Sequence, residues 1–262
     1  MIWMILQVAA AASMAAAGAV MVRKSRGWAT AACGLLLALI VLKAVVGHIP
    51  AAEATVFPWD WYPYVEPWWY LIPAMFLMGA GIQVVWQSPW KRHAMLAGAG
   101  VLLARTGAAG WVTSRPSDLE GTVKDSAVCL QTSSYSCGAA AATSFCYYYG
   151  VKVTEREMAE LCVTRMGGPG LAGTSDAGLM RGLRQKLSHR YDIHIARTVY
   201  DDIPTPALVA IEVWPGVGHC IVLWRVDPEL VHILDPRSGW TTLSRKSFEQ
   251  MWMGSAIWAS HK

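Results

Sequence analysis

Residues 131–142 read Gln131-Thr132-Ser133-Ser134-Tyr135-Ser136-Cys137-Gly138-Ala139-Ala140-Ala141-Ala142. A thiol stands at the head of an alanine-rich helical run, six residues after an amide side chain. A thiolate at a helix N-terminus is favoured by the unpaired first-turn N–H groups and by the positive end of the dipole. The same amides can hold the negative oxygen that forms when a thiolate attacks a carbonyl, and Gln131 would add a side-chain donor. The stretch therefore predicts a helix from Cys137 to Tyr149, stopped by Gly150, and makes Cys137 the candidate nucleophile.

The surrounding sequence predicts a domain over 125–262, long enough for an independent core. Thr154 with Glu157 three residues on forms a capping box for a helix to Cys162, and Ser175 or Asp176 starts another through Leu187. Beyond these the pattern changes to short apolar runs at 207–213, 219–226 and 231–234, with Asp227-Pro228 as the turn between the last two. Helices followed by strands indicate an α+β domain with a mainly antiparallel sheet.

A nucleophilic thiol needs a base. The chain contains no asparagine, which excludes a Cys-His-Asn arrangement and leaves Asp, Glu or Gln to orient the base. Of seven histidines, His48 and His93 flank apolar stretches, His261 is next to the C-terminal residue, and His189 and His194 fall in or beside a polar stretch. His232 lies inside an apolar strand, where a core or solvent-facing role is the default. His219 follows Gly216-Val217-Gly218 at the mouth of a strand, where its ring can project from the sheet end. Asp235 closes the next strand, and a hairpin turning near Asp227 returns it toward His219, so a carboxylate can fix the imidazole tautomer. Singly these residues carry little, since a lone cysteine in an apolar helix is ordinarily a small core residue. Their joint order singles them out.

The N-terminal part has a different composition. Hydrophobic residues make up 54% of the 262, and the excess lies before residue 112. Apolar stretches at 1–22, 29–47, 70–86 and 94–112 predict about four membrane spans, the fourth weakened by Arg105. No basic segment precedes the first stretch, so it reads as a retained span and not a cleaved signal peptide. Arg23, Lys24 and Arg26, and then Lys91, Arg92 and His93, mark cytoplasmic loops. The loop 51–69 has no Lys or Arg and carries an aromatic run from Trp59 to Tyr70, which reads as an interfacial belt on the outer side. The resulting division is a transmembrane helical region over 1–112, a polar linker over 113–124 and the domain over 125–262. Four spans place that domain outside the cytoplasm; if the fourth segment does not cross, it lies in the cytoplasm.

Four blocks occur in order: Gln131-x5-Cys137-Gly138-Ala139-Ala140, Gly173-Thr174-Ser175, His219-Cys220-Ile221-Val222-Leu223 and Asp235-Pro236-Arg237-Ser238-Gly239. On these the chain resembles the C39 family of papain-like cysteine peptidases. The resemblance implies a papain-like domain with the cysteine helix against an antiparallel sheet. It further implies Cys137 as nucleophile, His219 as general base, Asp235 as orienting acid and Gln131 as oxyanion donor. Members of that family commonly cut leader peptides after a Gly-Gly pair, often as the N-terminal domain of an exporting ABC transporter. Here the domain follows the apolar segments and no GxxxxGK[ST] loop exists, so an export role requires a separate ATPase.

The expected partners are a peptide or precursor-protein substrate and the lipid bilayer. The net charge of +4 gives no argument for nucleic acid. No CxxC pair or histidine cluster with zinc spacing is present, and no cofactor is implied. Cys129, Cys146, Cys162 and Cys220 can stay as buried thiols or form disulfides outside the cytoplasm, a Cys129–Cys220 bridge among them. Gly167-Gly168-Pro169 reads as a loop and not a self-processing site, because proline follows the pair. The alternatives to an endopeptidase are an inert C39-like module that binds leader peptides for an export machine, and a membrane scaffold.

Overall fold

A computed structural model describes residues 2–49, 51–66, 68–84, 88–91, 93–98, 100–101, 118–121, 123–124, 127–166 and 172–262. The Gly167-Gly168-Pro169 stretch lies outside them, as does most of the fourth apolar segment, beyond Val101. The chain forms two compact units, Met1–His48 with Tyr64–Val112, and Ile49–Pro63 with Thr113–Lys262.

In the first unit, α1 (Ile2–Lys24), α2 (Arg26–His48) and α5 (Trp68–Val84) are the long helices. α1 and α5 approach through glycine: a Cβ on Gly18 would run into the carbonyl of Phe76, and one on Gly79 into that of Ala15. Small residues let backbones come this close, as in membrane helix pairs. Within α2, Lys43 is buried and meets Glu66 at 4.0 Å. Among the described residues one helix is long and apolar enough to cross a membrane, Gly27–Val46 in α2; Ile72–Val84 is a shorter apolar helix. Of the four spans expected from sequence, the structure thus supports one by length and composition.

The second unit is built on a six-stranded, wholly antiparallel sheet in the order β5-β10-β6-β7-β8-β9. After two short ribbons, β1 (Val123–Lys124) with β2 (Val128–Cys129) and β3 (Arg165–Met166) with β4 (Ala172–Gly173), its strands are β5 (Tyr191–Arg197), β6 (Ala207–Trp214), β7 (Val217–Val226), β8 (Leu230–Asp235), β9 (Gly239–Ser244) and β10 (Trp252–His261). One face carries the core cluster of Ala207, Val209, Ile211, Ile221, Leu223 and Ile233 with Tyr200 and Phe248. The alternate residues Leu208, Val222 and Leu234 are buried too. Strands covered on both faces need apolar side chains in both orientations, which is why the sequence shows continuous runs here instead of alternation.

The helices beside the thiol are α6 (Cys137–Tyr148), α7 (Glu155–Leu161) and α8 (Asp176–Leu187). α6 lies against β7 and is buried from Gly138 to Cys146, so its alanines are the residues that allow it to be enclosed on nearly all sides. Thr154 and Ser175 cap α7 and α8 by accepting from the N–H groups of Glu157 and Gly178. α7 and α8 meet at Cys162, whose carbonyl oxygen would be struck by a Cβ on Gly178 and whose sulfur by one on Gly182. Gly178→Ala is therefore expected to lower stability by about 2 kcal/mol through overpacking, read as a shift in the urea midpoint.

The loop after α2 belongs to the second unit, not to the helical one. Its short helix α3 (Ala52–Val56) packs on α8 and β5, and Tyr62 is fully buried with its hydroxyl on Glu53 at 2.5 Å and its ring stacked on Phe57 at 4.6 Å.

Candidate active site

Cys137 is the first residue of α6, and the cap before it is open. Ser136 makes no side-chain capping bond; its hydroxyl instead accepts from the N–H of Ser133 and donates to that residue's carbonyl. The first intrahelical bond runs from Ala140 to the Ser136 carbonyl, which leaves the N–H groups of the first turn available near the sulfur. A Cβ on Gly138 would meet the Thr174 side chain at 2.7 Å, so only glycine lets the wall beside the thiol come this near.

The strands bring His219 and Asp235 to that helix end. β6 and β7 pair with Ile211 opposite His219 and Ala210 opposite Cys220. β7 and β8 pair with Val222 opposite Leu234, so one step further sets Asp235 opposite Ile221, diagonal to His219 on the same face. Side chains span that diagonal: His219 Nε2 and Asp235 Oδ1 are 2.7 Å apart. The His219 ring is buried, and Nδ1 has no hydrogen-bond partner of good geometry. Asp235 also accepts from the N–H of Arg237 at 2.8 Å and from the Ser238 side chain.

The titration of these groups follows from their contacts. For Cys137, burial is the largest influence and raises the pKa, but it is outweighed by the His219 imidazole and the N–H groups of Cys220 and Gly138, so the thiol falls below its ordinary value. For His219, burial opposes the charged form most strongly, yet the bond to Asp235, the Cys137 thiol beside the ring and the charges of both carry it up to about 9. Asp235 is held below the usual carboxylate range by His219 and the N–H of Arg237, against a larger opposing influence from burial. The other four thiols of this unit behave oppositely. Burial pushes Cys129 and Cys146 up to about 12 and raises Cys162 and Cys220 well above an ordinary thiol. All six cysteines are free, so no Cys129–Cys220 bridge forms.

A cavity of about 200 Å³ opens at this point, with Cys137, Gly138 and His219 in its wall beside Gly173, Thr174 and Leu208. Cys137 and His219 come together there, and Asp235 joins them from behind the ring. Gln131 is placed differently. Its backbone N–H is fixed to the carbonyl of Pro236 at 2.8 Å, which ties it to the Asp235 turn, but its Nε2 donates to the carbonyl of Ser133 at 2.7 Å and the residue does not line the cavity. His232 bonds to Asp227 at 2.8 Å, and His194 to Ser260 at 2.8 Å, both away from the thiol. No group of three or more His, Cys, Asp or Glu is arranged to hold a metal among the described residues.

Sequence reasoning missed Glu155. It reads as an ordinary first-turn acid of α7, yet it is fully buried and accepts from the N–H of Gly121 at 2.7 Å, the N–H of Thr132 at 3.0 Å and the Thr132 hydroxyl at 2.5 Å. It thus fixes the residue next to Gln131. Glu155→Ala would strand these donors and is expected to lower stability by about 3 kcal/mol, measured by urea denaturation.

The C-terminal domain is similar to known proteins. The family model described as the peptidase C39 family matches residues 125–262. An uncharacterised protein of Methanothermobacter marburgensis is 30% identical over 145 residues, spanning 53% of this chain and 92% of that protein. An uncharacterised protein of Methanothermobacter thermautotrophicus is 29% identical over 138 residues, 51% of this chain and 87% of that protein. Among solved structures, the peptidase domain of Streptococcus ComA, a bifunctional ABC transporter of a quorum-sensing pathway, aligns with a TM-score of 0.44 at 19% identity, covering 55% of this chain and 98% of that one. A double glycine motif protease from an AMS/PCAT transporter, in complex with the leader peptide, aligns with a TM-score of 0.43 at 16% identity, covering 55% and 99%. With its C-terminal papain-like domain matched over more than half of its length, the chain belongs to the peptidase C39 family.

Proposed function

We propose that this protein is a membrane-anchored cysteine endopeptidase that cleaves peptides or precursor proteins, with Cys137 as nucleophile, His219 as general acid and base, and Asp235 as the residue that orients His219. The observation that supports it most directly is that Cys137 shares a cavity wall with the His219 imidazole, whose Nε2 is held by the Asp235 carboxylate at 2.7 Å, an arrangement that also lowers the thiol. The raised His219 and lowered Cys137 both favour passage of the thiol proton to the ring, so the imidazole takes that proton as the sulfur attacks the peptide carbonyl. The C–N bond then breaks as imidazolium gives its proton to the leaving amine. Water hydrolyses the thioester and regenerates the thiol.

The oxyanion is assigned to the uncapped first-turn N–H groups of α6 and to Gln131, whose Nε2 carries a second hydrogen beyond the one given to Ser133. Gln131→Ala is expected to lower kcat by about 10²-fold with little change in KM, measured by steady-state cleavage. A Gly-Gly peptide is the first substrate to test, because the wall at the thiol approaches so closely at Gly138. An inert leader-binding role draws no support from the residues, since nucleophile, base and orienting acid are all retained. Export of a product would engage a separate ATPase.

The anchor is assigned to α2. Arg26 opens it, and Arg23 and Lys24 close α1 just before it, so this end belongs in the cytoplasm and Ile49, one residue past the other end, emerges outside. Because Ile49–Pro63 folds with Thr113–Lys262, the peptidase unit is assigned to the extracytoplasmic side. A tag on Lys262 of the cell-expressed protein should be digested by protease added to intact spheroplasts. Protection until the membrane is broken would overturn this assignment.

A further inference from the structure

Resting on the peptidase reading above, we propose that the segment Ile49–Pro63 is a positioning element of the substrate cleft, gripping its wall through Arg165 and Arg184. The wall beside the thiol includes Ala172, Gly173 and Thr174 on one side and Asp176 and Leu179 of α8 on another. Ala172–Gly173 form β4, whose partner is β3 (Arg165–Met166), paired as Arg165 opposite Gly173 and Met166 opposite Ala172. A ribbon of two residues per strand has almost no stability of its own. Its position has to come from what it is tied to.

Among the described residues the ribbon is tied at its base and on its outer strand. At the base, the hydroxyls of Thr164 and Thr174 are 2.8 Å apart. On the outer strand, Arg165 Nη2 donates to the carbonyl oxygen of Pro63 at 2.7 Å. The second cleft wall is linked to the same segment, since Arg184 of α8 donates to the carbonyl oxygen of Pro58 at 3.2 Å. Proline carbonyls are fixed acceptors on a backbone with restricted φ, and a guanidinium bond to them is charge-assisted. The segment is itself ordered by the buried Tyr62 on Glu53 and Phe57 and by α3 against α8 and β5. A stretch that sequence alone places in a loop between apolar helices thus holds both the ribbon and the helix that line the cleft. None of its residues lines the cavity, so its effect is on the fit of the peptide and not on the reacting atoms.

The test uses the full chain in detergent with a peptide that the wild type cleaves. Arg165→Ala is expected to raise KM about five-fold while kcat stays within about two-fold, the pattern of lost uniform binding. The rate of Cys137 alkylation by iodoacetamide should not change, because the thiol–imidazole pair is untouched. Arg165→Lys should recover part of the KM, and Tyr62→Phe, which keeps the ring stack but removes the bond to Glu53, should shift KM in the same direction even if Arg165→Ala folds poorly. An unchanged KM in Arg165→Ala and Tyr62→Phe, or equal losses in kcat and alkylation rate, would overturn the proposal. Absence of cleavage by the wild type would instead sink the peptidase reading.

Discussion

Cys137→Ala is expected to lower peptide cleavage by about 10⁴-fold or more while leaving the fold intact. The sulfur is the attacking atom in the proposed chemistry, and no other thiol of this unit can replace it: Cys129 and Cys146 are pushed up to about 12, and Cys162 and Cys220 are raised by burial. Alanine is the best helix former and suits the first position of α6, so the substitution removes one partly buried sulfur and little else. The measurement is kcat/KM on a Gly-Gly peptide together with the urea midpoint. Cleavage that survives the substitution would remove Cys137 from the reaction. Loss of activity together with a large fall in the midpoint would mean that the residue is structural.

His219→Ala is expected to slow alkylation of Cys137 at pH 7 by more than about ten-fold, and to abolish peptide cleavage. The sign follows from the balance at the sulfur. Burial raises the thiol and the imidazole lowers it, so removing the ring leaves burial opposed only by the N–H groups of Cys220 and Gly138. The thiol then titrates at higher pH and less thiolate is present at neutrality. In the wild type, cleavage should fall on the acid side as the lowered thiolate takes up a proton, and on the alkaline side near pH 9 as His219 loses the proton that the leaving amine needs. Asp235→Asn keeps the size of the group but removes the charge that helps to raise His219, so its alkaline limb should move to lower pH. An alkylation profile identical in wild type and His219→Ala would show that the ring does not activate the sulfur.

Much of this site is readable without coordinates. The helix from Cys137, the capped helices before and after residues 162–175, and the runs at 207–213, 219–226 and 231–234 all occur within a residue or two of their expected bounds, because each is set by local signals: glycine stops, serine and threonine caps and apolar runs of strand length. The turn at Asp227 was legible for the same reason. The diagonal register that joins His219 to Asp235 was not, since pairing depends on how β7 shifts against β8 between Leu223 and Arg225. β5 and β10 were also unread: their side chains mix polar and aromatic residues, and their pairing with each other and with β6 is long-range.

Glu155 and the segment Ile49–Pro63 mark the other limit. A carboxylate in the first turn of a helix looks solvent-facing in one dimension, and only packing reveals that it closes over the backbone beside Gln131. A loop between apolar stretches gives no local sign of where it docks, so its grip by Arg165 and Arg184 emerged only from the fold. The same holds for Gln131, whose spacing suits an oxyanion donor but whose amide is turned to Ser133.

By itself the order of residues determined which groups are candidates for chemistry: a thiol at the head of a helix, a histidine at a strand mouth and an acid at a strand end, because residue type and short-range periodicity are written locally. Tertiary structure alone decided that His219 and Asp235 lie 2.7 Å apart, that burial and hydrogen bonding together leave Cys137 as the lowered thiol, and that a stretch near the apolar helices folds with the C-terminal unit. Distances, burial and charge coupling arise from contacts between segments far apart in the chain, and these exist only once the chain has folded.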